Sequence, residues 1–290
     1  MILSKNSKTS IDIDLEVDQK IKTGKLNKIL LIVPTNRKSR YLKKELISFS
    51  PGKSTGKINL ETIGTYSTKL LFDNYDASSK IISDAAASVL IKQSFQESKL
   101  KYFSYYKKDV PTGTLDRIKN VISEYKKHGI TPKTLLEESK SLDGSERIKA
   151  EDIAAVFEKY QSKCNELGLK ETGDIYSVLL ETNQNEFEKK FKALYPEVDL
   201  VIVNGFDEFT SPEIEIITRS AKVNNLELFV SFDYYNYNHL IFSHLDKCYD
   251  KFSAKGFKEV EDKSQVVFNE FQNIVRDKLF KLKTKDKVKR

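Results

Sequence analysis

Two short, uninterrupted runs of apolar residues predict two buried strands in this chain. The first run is Ile29–Val33 and the second is Leu200–Val203. Runs of this length, rich in β-branched residues and without polar alternation, are typical of strands buried on both faces of a parallel sheet. Each run is followed by a polar turn and a helix-start signal, so the pattern favours an α/β fold.

The first strand leads into a helix with two differently composed faces. Pro34 ends the apolar run, Thr35 and Asn36 supply a cap, and a helix is predicted over Arg37–Phe49. One face is apolar at helical spacing and is expected to contact the core. Its members are Leu42, Leu46 and Phe49.

The second strand leads into a glycine-containing polar turn, Asn204–Glu208, and then into a second helix start. Thr210 and Ser211 offer hydroxyl caps, Pro212 lies in the first turn, and Glu213 faces the positive end of the helix dipole. Ligands of α/β proteins bind beyond the carboxyl ends of the strands. This turn is therefore a candidate ligand site.

The rest of the pattern divides the chain into a discontinuous α/β domain, residues 1–76 and 196–290, and an all-helical insertion, residues 77–195. Further strands are predicted at Ile58–Ile63, Leu226–Phe232 and Phe257–Val260. From about Ala77 to Leu194, helix caps and glycine stops recur without strand signals. The expected fold is a parallel α/β sheet with an inserted helical subdomain.

Composition restricts the cellular compartment that is expected for this chain. Apolar residues make up 39% and charged residues 31% of 290 residues, and no window reaches the roughly 18 consecutive apolar residues of a membrane helix. No secretory signal is evident, and Cys164 and Cys248 lack metal-site spacing, so a cytoplasmic protein without a membrane segment is expected.

Most of the net charge lies at the C-terminus. Of the net charge of +7, residues 276–290 carry +6, which favours a solvated tail. The abrupt basic end suggests a fragment of a longer chain.

Three catalytic patterns fail on their sequence context. Gly52-Lys53-Ser54 imitates the end of a phosphate-binding loop, but it follows a helix and precedes a strand, the reverse of the required order. Glu-x-Lys triplets of the nuclease type fall in helical patterns, where such charges are ordinary solvated faces. The histidines at 128, 239 and 244 lack zinc-site spacing. No metal, cofactor or catalytic triad is predicted.

One basic helix face remains as a candidate binding surface. Arg37, Arg40 and Lys44 share a face with Tyr41, next to the loop residues Thr35 and Asn36. Such a group can contact phosphates and stack one base. The alternative is an ordinary solvated helix face.

Five segments, taken in order, resemble one family. ILLIVPTNRKSRYLKKEL resembles the second conserved motif of superfamily 1 helicases, which contacts single-stranded DNA, and INLETIGTYSTKLL resembles the segment after it. NELGLKETGDIYSVLLE resembles the end of the helical insert, and LELFVSFDYYN a later motif. VIVNGFDEFTSPEIEII resembles the Walker B segment of AddB/RexB-type subunits of helicase–nuclease complexes. The resemblance implies a P-loop-NTPase-like sheet, similar to helicase domain 1A, with a 1B-like insertion.

The departures from an active helicase concern the two carboxylates of Walker B. In a working motor an aspartate holds magnesium and a glutamate positions the attacking water. Here Asn204 and Gly205 stand in those places. Asp207 and Glu208 come three residues later, past the turn, and no catalytic role is transferred to them. With no phosphate-binding loop either, the resemblance implies an ATPase-inactive module.

The resemblance also implies a function and a partner. The DNA-contacting positions correspond to Thr35, Asn36, Arg37 and Arg40, with Thr62 and Tyr66 as further candidates. The expected role is single-stranded DNA binding in double-strand-break repair and recombination, docked to an AddA/RexA-type helicase subunit. A nuclease domain is expected at the C-terminus of the full-length protein. Two alternatives stay open: an active NTPase with an unrecognised nucleotide site, or a protein-interaction scaffold without DNA binding.

Overall fold

The computed structural model describes residues 1–5, 8–50, 56–72, 80–106, 109–232, 234, 239–263 and 271. The chain divides into two compact units. The first comprises Met1–Tyr66, Phe191–Phe209 and Ile217–Arg290, and the second comprises Ser67–Lys190 and Thr210–Ile216. Gly52-Lys53-Ser54 and the basic tail, residues 276–290, lie outside the described residues.

The first unit contains a seven-stranded sheet. Its strands are β1 Ile2–Ser4, β2 Ser10–Ile11, β3 Ile29–Val33, β4 Asn59–Thr62, β5 Leu200–Phe206, β6 Glu227–Phe232 and β7 Lys258–Asp262. The strand order is β2-β7-β1-β6-β5-β3-β4. The neighbours β6-β5-β3-β4 are parallel, as predicted, which confirms the α/β class.

Strand β1 is the exception to the predicted parallel sheet. It runs antiparallel to both of its neighbours, with Ile2 opposite Ser231 in β6 and Val260 in β7. Its three residues are too few to give a recognisable apolar run, so the sequence pattern did not predict it. Because β1 is reversed, the segment after it leaves the sheet at the edge opposite to the carboxyl ends of β3 and β5.

Eleven α-helices are present in the described part of the chain. They are α1 Ile13–Lys22, α2 Asn36–Phe49, α3 Ile63–Leu71, α4 Asp84–Glu97, α5 Thr112–Lys127, α6 Pro132–Glu138, α7 Gly144–Glu166, α8 Thr172–Glu181, α9 Gln184–Leu194, α10 Ser211–Ser220 and α11 His239–Ala254. Short 3-10 turns occur at Leu26–Lys28, Ser104–Tyr106 and Ser139–Ser141. None of the described helices is both long and apolar enough to span a membrane.

The apolar runs form the core of the first unit. Ile29, Leu200, Ile202 and Phe229 are buried together on one face of the sheet. On α2, Leu46 is buried as predicted, but Phe49 is 71% exposed, so its assignment to the core is wrong. As the last residue of its helix, Phe49 lies at the rim of an open cleft between α1 and α2.

The second unit is helical and built around α4, α5 and α7. Its core includes Phe95, Ile122, Phe157 and Tyr160, all essentially fully buried. Two helices of this unit begin at a hydroxyl cap: the Ser83 hydroxyl accepts from the Ala86 N–H at α4, and the Thr131 hydroxyl accepts from the Thr134 N–H at α6. Capping satisfies amide groups that have no partner inside the helix.

Helices α5 and α8 cross at very short range within the second unit. A Cβ added to Gly173 would lie 2.3 Å from the backbone carbonyl carbon of Lys126, so only glycine permits this approach. The Lys126 side chain is itself buried, with its Nζ 3.0 Å from Glu171 and 2.6 Å from Asp174. Two carboxylates therefore neutralise the buried ammonium group at the crossing.

Candidate functional site

The parallel strands bring three sequence-predicted segments to one edge of the sheet. Val33 in β3 lies opposite Thr62 in β4, and Ile32 lies opposite Val203 in β5. The residues that follow each strand therefore leave the sheet at the same edge. We call this end of the parallel strands the carboxyl edge of the sheet. The Thr35 cap, Thr62 and Asn204 lie there, at the ends of neighbouring strands of the first unit.

The first turn of α2 projects its basic residues into solvent. Thr35 is the N-cap, with its hydroxyl accepting a hydrogen bond from the Lys38 amide at 3.2 Å. Arg37 and Arg40 are both exposed, and Nε of Arg40 donates to the carbonyl oxygen of Asn36 at 3.3 Å. Neither arginine forms an ion pair with any carboxylate in the described part of the chain, so both guanidinium groups are available to an anionic ligand.

The charge on α2 is unfavourable for the helix alone. The helix has one acidic side chain, Glu45, and no acid in its first turn. Its basic side chains are Arg37, Lys38, Arg40, Lys43 and Lys44. Cations beside the positive end of a helix dipole are destabilising, and an anion bound there removes that penalty.

Tyr41 extends this surface with an exposed ring. The side chain is 56% exposed, and the Lys38 ammonium lies 5.8 Å from its ring centroid. Its hydroxyl donates to Glu45 at 2.6 Å, and this hydrogen bond raises the pKa of the phenol. The ring is thereby fixed along the helix with one face beside a cation, an arrangement that suits stacking of one base.

Thr62 caps the helix that follows it. Its hydroxyl accepts from the Thr65 amide at 3.1 Å, and its own amide donates to the Thr65 hydroxyl at 2.9 Å. The Thr65 hydroxyl donates in turn to Glu61 at 2.7 Å. Thr62 is partly exposed at the carboxyl edge, but its polar groups already serve the start of α3.

Tyr66 stands apart from the other sequence-predicted contact residues. Its side chain is 0% exposed, and its hydroxyl is hydrogen-bonded to the Ser220 hydroxyl at 2.7 Å. Burial raises the pKa of this phenol well above its ordinary range. With Ile63, also buried and three residues earlier, it forms the inner face of α3. The structure thus gives Tyr66 a packing role and no surface for a DNA strand.

The end of β5 carries a bulge at the position expected for the second Walker B carboxylate. Asn204 pairs with Ser231 and Phe206 pairs with Phe232, so Gly205 is an extra residue in the ladder. Gly205 has φ = +82°, a left-handed conformation that favours glycine. The position therefore lacks a side chain and also has a backbone geometry that disfavours one.

The turn after Gly205 is fixed by two aromatic residues. The rings of Phe206 and Phe209 stack with centroids 4.6 Å apart, and both side chains are buried. Asp207 and Glu208, between them, are exposed. No group of three or more potential metal ligands occurs among the described residues. Asp207 and Glu208 thus lie on the exposed turn that follows β5 and do not belong to a cluster of metal ligands in the described part of the chain.

Comparison with known proteins decides the family. A family model described as "ADDB, N-terminal" matches residues 4–273, which is most of the chain. The chain belongs to this family. The result confirms the resemblance to AddB/RexB-type subunits drawn from the five sequence segments.

Curated relatives of this AddB-family chain are described as subunits of an ATP-dependent helicase/deoxyribonuclease. The protein from Clostridium kluyveri (strain NBRC 12016) is 25% identical over 207 residues, covering 70% of this chain and 17% of the relative. The protein from Thermoanaerobacter sp. (strain X514) is 20% identical over 221 residues, covering 71% of this chain and 17% of the relative. The chain thus spans about a sixth of the length of these relatives.

The structure adds one cation to the contact residues predicted for this AddB-family chain. Lys38 is exposed in the first turn of α2, and its Cε would lie 3.8 Å from a Cβ on Gly205. It therefore links the basic helix to the end of β5. Its place between Arg37 and Arg40 was visible in the sequence, but its proximity to Gly205 depends on the pairing of β3 with β5.

Proposed function

We propose that this chain is the N-terminal, ATPase-inactive, helicase-like module of a DNA double-strand-break repair helicase–nuclease subunit. It binds single-stranded DNA through Thr35, Asn36, Arg37 and Arg40, and it docks to an AddA/RexA-type motor subunit. In this proposal the sheet is a P-loop-NTPase-like domain 1A, residues 1–76 and 196–290, and residues 77–195 are a 1B-like insertion. The module acts in the cytoplasm, and the full-length protein carries the nuclease.

The observation that carries DNA binding is the basic first turn of α2. Arg37 and Arg40 are exposed at the carboxyl edge of a parallel sheet, where α/β proteins bind ligands. The helix dipole, Lys38 and the absence of a first-turn acid all favour an anion at the same place. Phosphates of a single strand fit this surface without any base-specific contact.

ATPase inactivity is supported by the geometry around Gly205. Asn204 has no charge to neutralise magnesium, and Gly205 has no group to orient water. The left-handed φ at Gly205 also opposes a glutamate in that place. The direction of β1 also supports inactivity. Because β1 is antiparallel to β6, its carboxyl end lies at the opposite end of the strands from Asn204, so in the described part of the chain no phosphate-binding loop follows β1 beside Asn204.

The proposal is tested by titrating a fluorescent single-stranded oligonucleotide with the full chain at several salt concentrations, and by measuring ATP turnover with the same DNA. Binding that weakens steadily with salt, together with turnover at background, is expected. DNA-stimulated turnover would instead support the active NTPase. Absence of binding at low salt would support the scaffold without DNA binding.

A further inference from the structure

A second surface with ligand-binding character lies in the helical unit. A cleft of about 520 Å³ opens between the turn around Ser104–Tyr106 and the helices α5 and α7. Its volume falls within the roughly 300–1,000 Å³ of small-molecule sites. The side chains that define its character are Tyr102, Tyr106, Arg117 and Lys149.

The turn that forms one wall of the cleft is held by a buried carboxylate. Asp152 in α7 is 3% exposed and accepts hydrogen bonds from the amides of Lys101 and Phe103, each at 3.0 Å. The Tyr106 amide donates to the Phe103 carbonyl oxygen at 3.0 Å. The Phe103 ring is buried with its centroid 6.0 Å from that of Phe95. The backbone that presents the tyrosines is therefore pre-organised.

The aromatic rings on this wall remain open to solvent. Tyr102 is 46% exposed and Tyr106 is 38% exposed, although buried apolar positions lie directly beside them. Two exposed aromatic rings held on one turn offer a surface that a flat ligand can cover. Tyrosine side chains lose little conformational freedom when they are covered, which makes them effective contact residues.

The charges around the cleft are of one sign. Arg117 and Lys149 line it, and no carboxylate of the described residues does. The Lys149 ammonium lies 6.0 Å from the centroid of the Tyr102 ring, so one cation is placed beside an aromatic face. Aromatic faces next to cations match a ligand that has flat rings and a negative backbone. Single-stranded nucleic acid combines both features.

We propose that this cleft binds single-stranded nucleic acid, with bases stacked on Tyr102 and Tyr106 and phosphates paired with Arg117 and Lys149. The site lies in the second unit and is independent of Arg37 and Arg40. It recognises bases without regard to sequence, because stacking uses the flat ring face that every base has.

The test compares an oligothymidine with an abasic strand of equal length and charge, using the full chain and the variant Arg37→Ala/Arg40→Ala. Tyr102→Leu/Tyr106→Leu removes the rings and keeps apolar bulk, whereas Tyr102→Phe/Tyr106→Phe keeps the rings. The leucine variant is expected to bind oligothymidine at least about fivefold more weakly, the lower limit for loss of one stacked base. The phenylalanine variant is expected to bind like the unaltered chain.

The control is Leu167→Ala, because Leu167 is a 60% exposed apolar residue of the same unit that does not line the cleft. It should leave affinity unchanged. Melting temperatures equal to that of the unaltered chain show that the variants fold. The proposal is overturned if the folded leucine variant binds oligothymidine normally, or if it loses affinity equally for the abasic strand. A base-dependent loss that persists in the arginine variant separates this site from the surface on α2.

Discussion

Gly205 of β5 lies beside Lys38 of α2: a Cβ placed on the glycine would be 3.8 Å from the lysine Cε, an ordinary van der Waals separation. Space is therefore available for a side chain at the end of β5. What opposes one is the backbone, because φ is +82° at this residue. In the proposed ATPase-inactive module, where Gly205 stands in the place of the Walker B glutamate, the bulge between Asn204 and Phe206 gives this position a backbone conformation that disfavours any side chain.

Substitutions at Gly205 should follow backbone preference and leave ATP turnover at background. Gly205→Val is expected to lower the free energy of unfolding by about 1–2 kcal/mol, the cost of a left-handed residue, and Gly205→Asn by less. Denaturant unfolding of both variants measures this order. The double variant Asn204→Asp/Gly205→Glu should hydrolyse no ATP with DNA present. ATP turnover by this variant would show that the lack of these two carboxylates is the sole cause of ATPase inactivity.

The fully apolar runs predicted β3 and the first four residues of β5. They did not predict that β5 continues to Phe206, because Asn204 and Gly205 favour a turn and are held in the strand by pairing with β6. The same reasoning could not find β1, since Ile2–Ser4 gains its strand conformation from Ser231 and Val260, more than 220 positions away. Local sequence contains no trace of such pairing.

The direction in which a side chain points was the second feature that the sequence pattern could not predict. Tyr66 was expected near DNA, but its hydroxyl contacts Ser220, a partner that only the folded chain supplies. The cleft of the helical unit was missed for the same reason. Tyr102 and Tyr106 are visible in the sequence. The turn that holds them at the surface, however, is fixed by hydrogen bonds to Asp152, about fifty residues away.

Substitution of Gly173 should disrupt the helical unit. Gly173→Ala places a Cβ 2.3 Å from the backbone of Lys126, so α5 and α8 must separate. The expected loss is about 1–3 kcal/mol in the free energy of unfolding, or more, measured by chemical denaturation. Gly113→Ala in α5 is the matched control, because nothing lies within 4 Å of its Cβ and alanine favours a helix. Equal stability of the two variants would contradict the close crossing.

Asp14 of α1 should make stability depend on pH. Partial desolvation of this largely exposed carboxyl, followed by the nearby charges of Asp12, Asp262 and Asp18, raises its pKa above 3.8. A raised pKa in the folded state means that the ionised carboxylate opposes folding at neutral pH and that protonation relieves this as pH falls. Asp14→Asn should therefore raise the melting temperature at pH 7, by a small amount because water screens the charges around this largely exposed side chain. The gain should disappear as the pH falls through the raised pKa towards 3.8.

The control for this pH dependence is Glu137→Gln, which makes the same charge change at an exposed position of the second unit. It is expected to give no comparable gain at pH 7. An Asp14→Asn variant whose melting temperature equals that of the unaltered chain at pH 7 would contradict the assignment of an unfavourable carboxylate to α1.

Binding of single-stranded DNA phosphates by α2 should appear in the salt dependence of the variant Arg37→Ala/Arg40→Ala. Each lost phosphate contact lowers the slope of log affinity against log salt by about 0.7, so the double variant should lose about 1.4. Its affinity should fall roughly fivefold or more, for all sequences alike. Lys133→Ala/Lys140→Ala removes the same charge from exposed positions of the second unit and should change neither quantity comparably. An unchanged slope in the arginine variant, or an equal loss in the lysine variant, would contradict phosphate binding by α2.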